Sequence, residues 1–480
     1  MQDAAYAGLL RARRQQIHAR IAQVLPEKFP DLIARQPEML AYHCEAAGLE
    51  APAKEHWSRA GRLALANAAY AEATNHFAKA LSLVAKEGPS EARTREEAGL
   101  LLDRGIAMVA LKGPSSAEHT QIATDALTVS APLGDDVLHF RARWADWMVN
   151  SVGGRLPEAA ARADLLVGVA NRIGADDLRL QAHHARWTTA VARGHLTAAR
   201  EAIEHGLALY DLERHRDHWS MYGAHDPGVC ACSNGAITFW QAGYAERAQN
   251  LSEQAIDLGS QLGHPLSLAI GHLIGAYFAI MVGDDSAADT KTQSVVALAA
   301  EANMAWPAGL ARFVAGWVTA RQGEPGRGAD QMEASFRSLQ EIKVQLHLTF
   351  LGTLLASTKL EMGRTEEALN FLEELQLLSV ESHQQLFVPD LHRVRAEALH
   401  RLDPKNPRIE AEYRMALQLA REQGALALEL RAARGLATRL AASGRTIEGA
   451  ALLRPVFDRF TEGLATPDLQ AAKALLDALE

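Results

Sequence analysis

The sequence has little that could staple or anchor a fold. Its three cysteines, Cys44, Cys230 and Cys232, are too few for a disulfide framework. They fit a reducing compartment, and a cytoplasmic protein is expected. Aromatic residues make up only 6%, and β-branched runs are scarce, which weighs against sheet and for helix. No uninterrupted apolar run approaches the ~18 residues of a membrane helix. Residues 1–25 lack the charged, apolar, small-residue order of a signal peptide, so no membrane partner is expected. Positive charge is also short: 49 Lys+Arg face 58 Asp+Glu, a net charge of −9. That balance disfavours nucleic acid, whose affinity rests on neutralised phosphates. The basic cluster Arg11, Arg13, Arg14 and Arg20 reads as the solvated face of one helix.

Catalytic signatures are missing as well. No Gly-Lys pair occurs anywhere, which removes the phosphate-cradling loop of a P-loop enzyme. The glycine cluster Gly323-Glu-Pro-Gly-Arg-Gly328 lacks the lysine and the preceding strand. Asp284-Asp285 reads as a helix cap, not as a two-metal pair. There is no Gly-x-Ser-x-Gly elbow and no His-Glu-x-x-His. No residue is assigned to catalysis, to a cofactor or to a metal.

What is present is a beat. Gly113, Gly154, Gly194, Gly243, Gly283, Gly323, Gly363, Pro404 and Gly444 are separated by 41, 40, 49, 40, 40, 40, 41 and 40 residues. A second beat half a period away carries Gly134, Gly174, Gly263 and Gly424, with Asn303, Lys343 and Gln384 on the missing counts. Two punctuation marks per period, with helix-forming residues between them, describe a repeated helix pair. The second helices share a rhythm, clearest in Ala73-x-x-x-Phe77-x-x-Ala80 and Ala199-x-x-x-Ile203-x-x-Gly206. Weaker copies occur at Ala248…Ala255, Ala368…Leu372…Leu375 and Gly449…Leu453…Val456. Positions i, i+4 and i+7 share one helix face, where small residues let a partner helix approach. The sequence therefore predicts an all-α fold: a tetratricopeptide-like α-solenoid of about 40-residue helix pairs. Gly154, Gly194, Gly243, Gly283, Gly323, Gly363 and Gly444 make its repeat turns.

Ahead of the beat, the spacing predicts one helix over Ala4–Leu25, stopped by Pro26, and another from Pro37 to Gly48. Residues 51–480 read as one continuous solenoid. The nine surplus residues between Gly194 and Gly243 fall near 215–232, an insertion of the kind that carries binding. That window concentrates ligand-type side chains: His183, His184, His195, His205, His215, His218, His225, Cys230 and Cys232. The Cys-x-Cys spacing is too tight for a zinc knuckle, so both cysteines are expected to pack as small apolar residues. His225-Asp226-Pro227-Gly228 reads as a turn with Asp226 capping the next helix. Tyr222, His225, Asp226, Trp240 and Trp317 are the candidate partner contacts. The two tryptophans would line a groove made by first helices, while Trp144, Trp147, Trp187 and Trp306 fill core.

Gln2–Ala22, with its run Arg11-Ala-Arg-Arg-Gln-Gln-Ile17, resembles the stretch that closes the ATPase module in a family of large bacterial signalling proteins. Further matches are His43-Cys-Glu-Ala-Ala-Gly48, Ala60-Gly-Arg-Leu-Ala-Leu-Ala-Asn-Ala-Ala-Tyr-Ala-Glu-Ala73, His225-Asp-Pro-Gly-Val-Cys230, Glu429-Leu-Arg-Ala-Ala-Arg434, Phe460-Thr-Glu-Gly463 and Ala472-Lys-Ala-Leu-Leu-Asp477. In that family an adenylate/guanylate cyclase or another effector precedes a P-loop ATPase of the multidomain signal-transduction type, and a tetratricopeptide region follows. The resemblance implies that residues 1–50 are the helical tail of such an ATPase module. It also implies a truncated or separately encoded regulatory region, whose partner is a protein or peptide, in particular an ATPase or cyclase module in cis or in trans. Two rivals stand beside this expectation. One is part of a cyclase or ATPase, against which the missing nucleotide motifs count. The other is a small-molecule or metal sensor centred on residues 215–240.

Overall fold

A computed structural model describes residues 11–479. The described residues are helical throughout, with no strand among them, and run as antiparallel pairs from Glu50–Ala66 and Tyr70–Val84 to Leu426–Ala442 and Thr446–Phe457. The chain is an all-α solenoid of helix pairs. Every glycine of the beat sits in the left-handed half of backbone space, from φ +62° at Gly134 to +103° at Gly113. On the counts without glycine, Asn303 (φ +52°) and Lys343 (φ +57°) take the same conformation. The third such residue is His383 (φ +58°), not Gln384. The helix Thr365–Ser382 ends one residue earlier than the spacing suggests.

The small-residue rhythm lies on the buried face. Ala73, Phe77 and Ala80 are fully buried, as are Ala199 and Ile203, Ala368 and Leu372. Gly206 shows why the rhythm needs small residues: a Cβ there would come within 2.3 Å of the buried Trp187 ring. Caps follow local chemistry, with the Ser90, Ser116 and Asp284 side chains accepting backbone N–H bonds from the first turns. Near the N-terminus the expected helix start lies outside the described residues. The helix there, Arg11–Lys28, runs through Pro26. Proline deletes one bond of the last turn, but Phe29 N–H still reaches Leu25 O at 2.9 Å, and the turn holds.

The chain divides into two compact units: described residues up to Asp146 with Ser220–Ala224, and Trp147–Trp219 with His225 onward. In the first, helix pairs are joined by ion pairs such as Lys54 with Glu87 and Glu96, both at 2.6 Å. Tyr222 packs edge-on against Phe140 and Trp144 there.

The second unit is wound until it meets itself. Turns after early first helices touch segments far along the chain. Gln345 N–H bonds Val152 O at 3.0 Å and Gln385 N–H bonds Ala192 O at 3.1 Å. The Arg431 guanidinium bonds Met281 O across 150 residues, and Glu462 accepts from Glu246 N–H across 216. Winding this tight fills the interior. In Pro227–Gln241 all residues but Asn234 are buried, and Tyr277 meets Phe350 edge-on at 5.4 Å. Pro265–Val282 is long and apolar enough by composition to cross a membrane, contrary to the reading of uninterrupted runs alone; 72% of it is buried inside the unit. A helix apolar all round is what a filled interior requires. The first helices therefore pack against one another and leave no open groove along Pro227–Gln241 or Pro265–Val282.

Candidate functional site

The insertion forms a short helix, Leu212–His215, a 3-10 turn, His218–Ser220, and a loop into Pro227–Gln241. Asp226 is fully buried and caps that helix, accepting the Val229 N–H at 2.8 Å. Its other oxygen accepts from the Tyr210 hydroxyl at 3.2 Å, and its own N–H donates to Ser267 Oγ at 2.9 Å. Burial outweighs these bonds and pushes its carboxyl up to about 6. Gly228 exists to admit Tyr210, since a Cβ would lie 2.5 Å from the ring. His225 is 9% exposed, with Nε2 3.2 Å from His184 Nε2.

Of the sequence candidates, the structure joins His225 and Asp226 in one buried loop. Tyr222 is buried in the other unit. Trp240 and Trp317 are 5% and 8% exposed, so they belong to the packed interior and not to an open groove. Trp240 lies where the winding closes, with the Arg431 guanidinium 4.9 Å over its ring. Gly243 beside it could not take a Cβ without meeting Leu426 at 2.7 Å.

The histidines of the window do not gather in one place. His184, His225 and Cys230 converge, as do Asp177, His215 and His218. Gln181 links the two groups, bonding His218 Nδ1 at 3.0 Å and His184 Nδ1 at 3.2 Å. Burial first, and neighbouring imidazoles second, hold the His184 and His218 rings neutral. His184 is driven well below its usual value and His218 down to about 4. Cys230 faces Thr188 and Asn234, while Cys232 faces Gln254, as residues two apart on a helix must. Asp177 and Gln181 lie outside the histidine window, on the repeat before the insertion, so sequence spacing could not enlist them.

A second feature was not legible at all. A cleft of about 410 Å³ is lined by Glu397, Tyr413, Arg431, Arg434, Gly435 and Arg439, among others. The arginines project from one helix, Leu426–Ala442. Asp468 ties Arg431 at 2.7 Å and Arg434 at 3.6 Å. Arg439 has no ion pair among the described residues. Glu397, the lining carboxylate, is held by Arg393 at 2.6 Å. The cleft is thus cationic on a chain of net charge −9.

These features define a tetratricopeptide-type helical-repeat protein. No family model matches the chain. The uncharacterized protein R02095 of Rhizobium meliloti (strain 1021) is 24% identical over 438 residues, which cover 90% of this chain and 42% of that protein. The chain thus spans less than half the length of that relative. Among solved structures, a Rap protein complexed with Competence and Sporulation Factor superposes with a TM-score of 0.53 at 12% identity, covering 80% of this chain and 100% of the other. Aspartyl phosphate phosphatase F from Bacillus subtilis gives 0.42 at 10% identity, over 79% and 96%. The Rap likeness is one of fold.

Proposed function

We propose that this chain is a non-catalytic, cytoplasmic interaction module that holds a protein or peptide segment and regulates a larger signalling protein, an ATPase or cyclase module in cis or in trans. The observation that carries the reading is the arginine cleft. Arg431, Arg434 and Arg439 project from one helix around a cleft whose floor is the buried Tyr413 ring, against which Gly435 packs too closely to carry a Cβ. A row of guanidinium groups suits an acidic segment, because the planar forks pair with carboxylates. The filled interior of the second unit directs partners to such surface clefts and away from a concave channel. Support for the regulatory setting comes from the resemblance of residues 2–22 to the end of an ATPase module, and from a relative more than twice the length of the aligned region. The Rap protein of similar fold is itself complexed with a factor.

The test is selection of binders from a random peptide library on the purified chain, repeated on Arg434→Glu/Arg439→Glu. Enrichment of acidic peptides that the charge-reversed protein no longer retains is the expected result. A library with no acidic preference, or one that the reversal leaves unchanged, overturns the reading.

A further inference from the structure

His184, His225 and Cys230 form a cluster that the interaction reading does not use. Their ligand atoms lie within 4.8 Å of one another, and all three residues are buried. They come from separate elements: His184 from the helix Asp176–Ala192, His225 from the inserted loop, Cys230 from the first turn of Pro227–Gln241. The geometry points to a three-donor site for a zinc-class divalent cation, with a water completing the tetrahedron, that clamps the insertion onto the preceding repeat.

The separation of the donors and their surroundings support it. The two Nε2 atoms are 3.2 Å apart. Tetrahedral zinc with bonds of ~2.0–2.1 Å to nitrogen sets its nitrogen ligands about 3.3 Å apart. The sulfur needs to close to about 3.6 Å from each nitrogen, a movement of at most about 1.2 Å from the 4.8 Å limit.

The surroundings orient the donors. His184 Nδ1 lies 3.2 Å from Gln181 Oε1, and Gln181 Nε2 donates to His218 Nδ1 at 3.0 Å. With the amide so placed, His184 carries its proton on Nδ1 and turns a bare Nε2 toward His225. A ligating histidine is held in this way by a carbonyl on its far nitrogen. Around the sulfur, Asn234 Nδ2 donates at 3.3 Å and Thr188 Oγ1 lies at 3.8 Å. Donors of this kind stabilise a thiolate once a cation is present.

Binding replaces the Cys230 thiol proton, which leaves to solvent. Two nitrogens and one sulfur select zinc or cobalt over magnesium or calcium, which prefer oxygen. The neighbouring group of Asp177, His215 and His218 is the weaker candidate, because Arg214 already neutralises Asp177 at 2.7 Å.

The experiment is cobalt titration of the untagged full chain, read by absorption spectroscopy and by metal content after desalting. One cobalt per chain, with a thiolate-to-cobalt charge-transfer band and the intense visible bands of a tetrahedral ion, is expected. Cys230→Ser and His184→Gln should lose the band, while Cys232→Ser and His215→Gln keep it. Protection of Cys230 from alkylation by added zinc in the unmutated chain gives a readout that needs no variant to fold. Overturning results are metal content near zero without a charge-transfer band, a band that survives Cys230→Ser, or a Cys230 alkylation rate indifferent to zinc.

Discussion

Replacing Gly463 with alanine probes the closure of the second unit more sharply than any core truncation. Gly463 has φ +70°, and a Cβ there would meet Ala245 Cβ at 2.7 Å. Gly424 has nearly the same backbone, φ +72°, with nothing within 4 Å. Both substitutions incur the left-handed cost of an L side chain, about 1–2 kcal/mol. Only Gly463→Ala adds overpacking, about 1–3 kcal/mol. Ala245 Cβ is fixed to backbone and cannot rotate aside, so little of that is relieved. The contact lies where Glu462 accepts from the Glu246 and Arg247 N–H groups, so the expected consequence is release of the C-terminal segment. The assay is hydrogen exchange of the helix Pro467–Leu479 in both variants. An excess of about 1–3 kcal/mol corresponds to exchange faster by roughly 5–150-fold in Gly463→Ala than in Gly424→Ala. Equal exchange in the two variants would mean that residues 245 and 463 do not touch, and the closure argument would fail.

Other expectations follow from single side chains. Glu429 is 2% exposed and holds Arg421 and Arg459, each at 2.6 Å. Because both arginines are half exposed and can rehydrate, Glu429→Ala should cost about 1–3 kcal/mol by urea unfolding, below the usual loss for a buried pair. Asp226→Ala should lose about 1 kcal/mol with the cap, whereas Asp226→Asn should stay within a few tenths, since asparagine caps equally well; equal losses would remove the cap from the account. His119 is buried against Pro114 O, and desolvation depresses it to about 4. A depressed imidazole binds its proton less readily folded than unfolded. Its contribution is therefore complete above pH 6.5 and falls between 6.5 and about 4, by at most ~1.4 kcal/mol per pH unit. His119→Gln should flatten unfolding free energy over that window, and an unchanged slope would contradict the assignment.

Much of the fold was legible because its rules are local. A glycine at a helix end must turn left-handed whatever surrounds it, so the beat located turns from Gly113 to Gly444. Likewise the Ala73, Phe77, Ala80 spacing placed a buried face without knowledge of its partner. Closure was not legible, because it depends on the accumulated twist of several repeats, which no spacing encodes. Trp240 accordingly reads as groove lining in the sequence and lies beneath Arg431 in the structure. The same holds for the site residues. Asp226 as a cap follows from Asp-Pro-Gly alone, whereas Gln181 and Asp177 join the histidines only through packing of neighbouring repeats. The cationic cleft needed the structure for a related reason. Arginines at 431, 434 and 439 read as one polar helix face until Glu397, Tyr413 and Leu475 are found around them.

The most direct measurement of the central claim is amide hydrogen exchange at Gln345 and Gln385 in the unmodified chain. Both lie in turns between helices, where a free amide exchanges at the rate of unstructured peptide. Their N–H groups are covered only because the winding brings Val152 O and Ala192 O onto them. Strong protection at both, lost together when the second unit unfolds, is the predicted result. Exchange at the unprotected rate would contradict it and leave an open solenoid in place of the closed one.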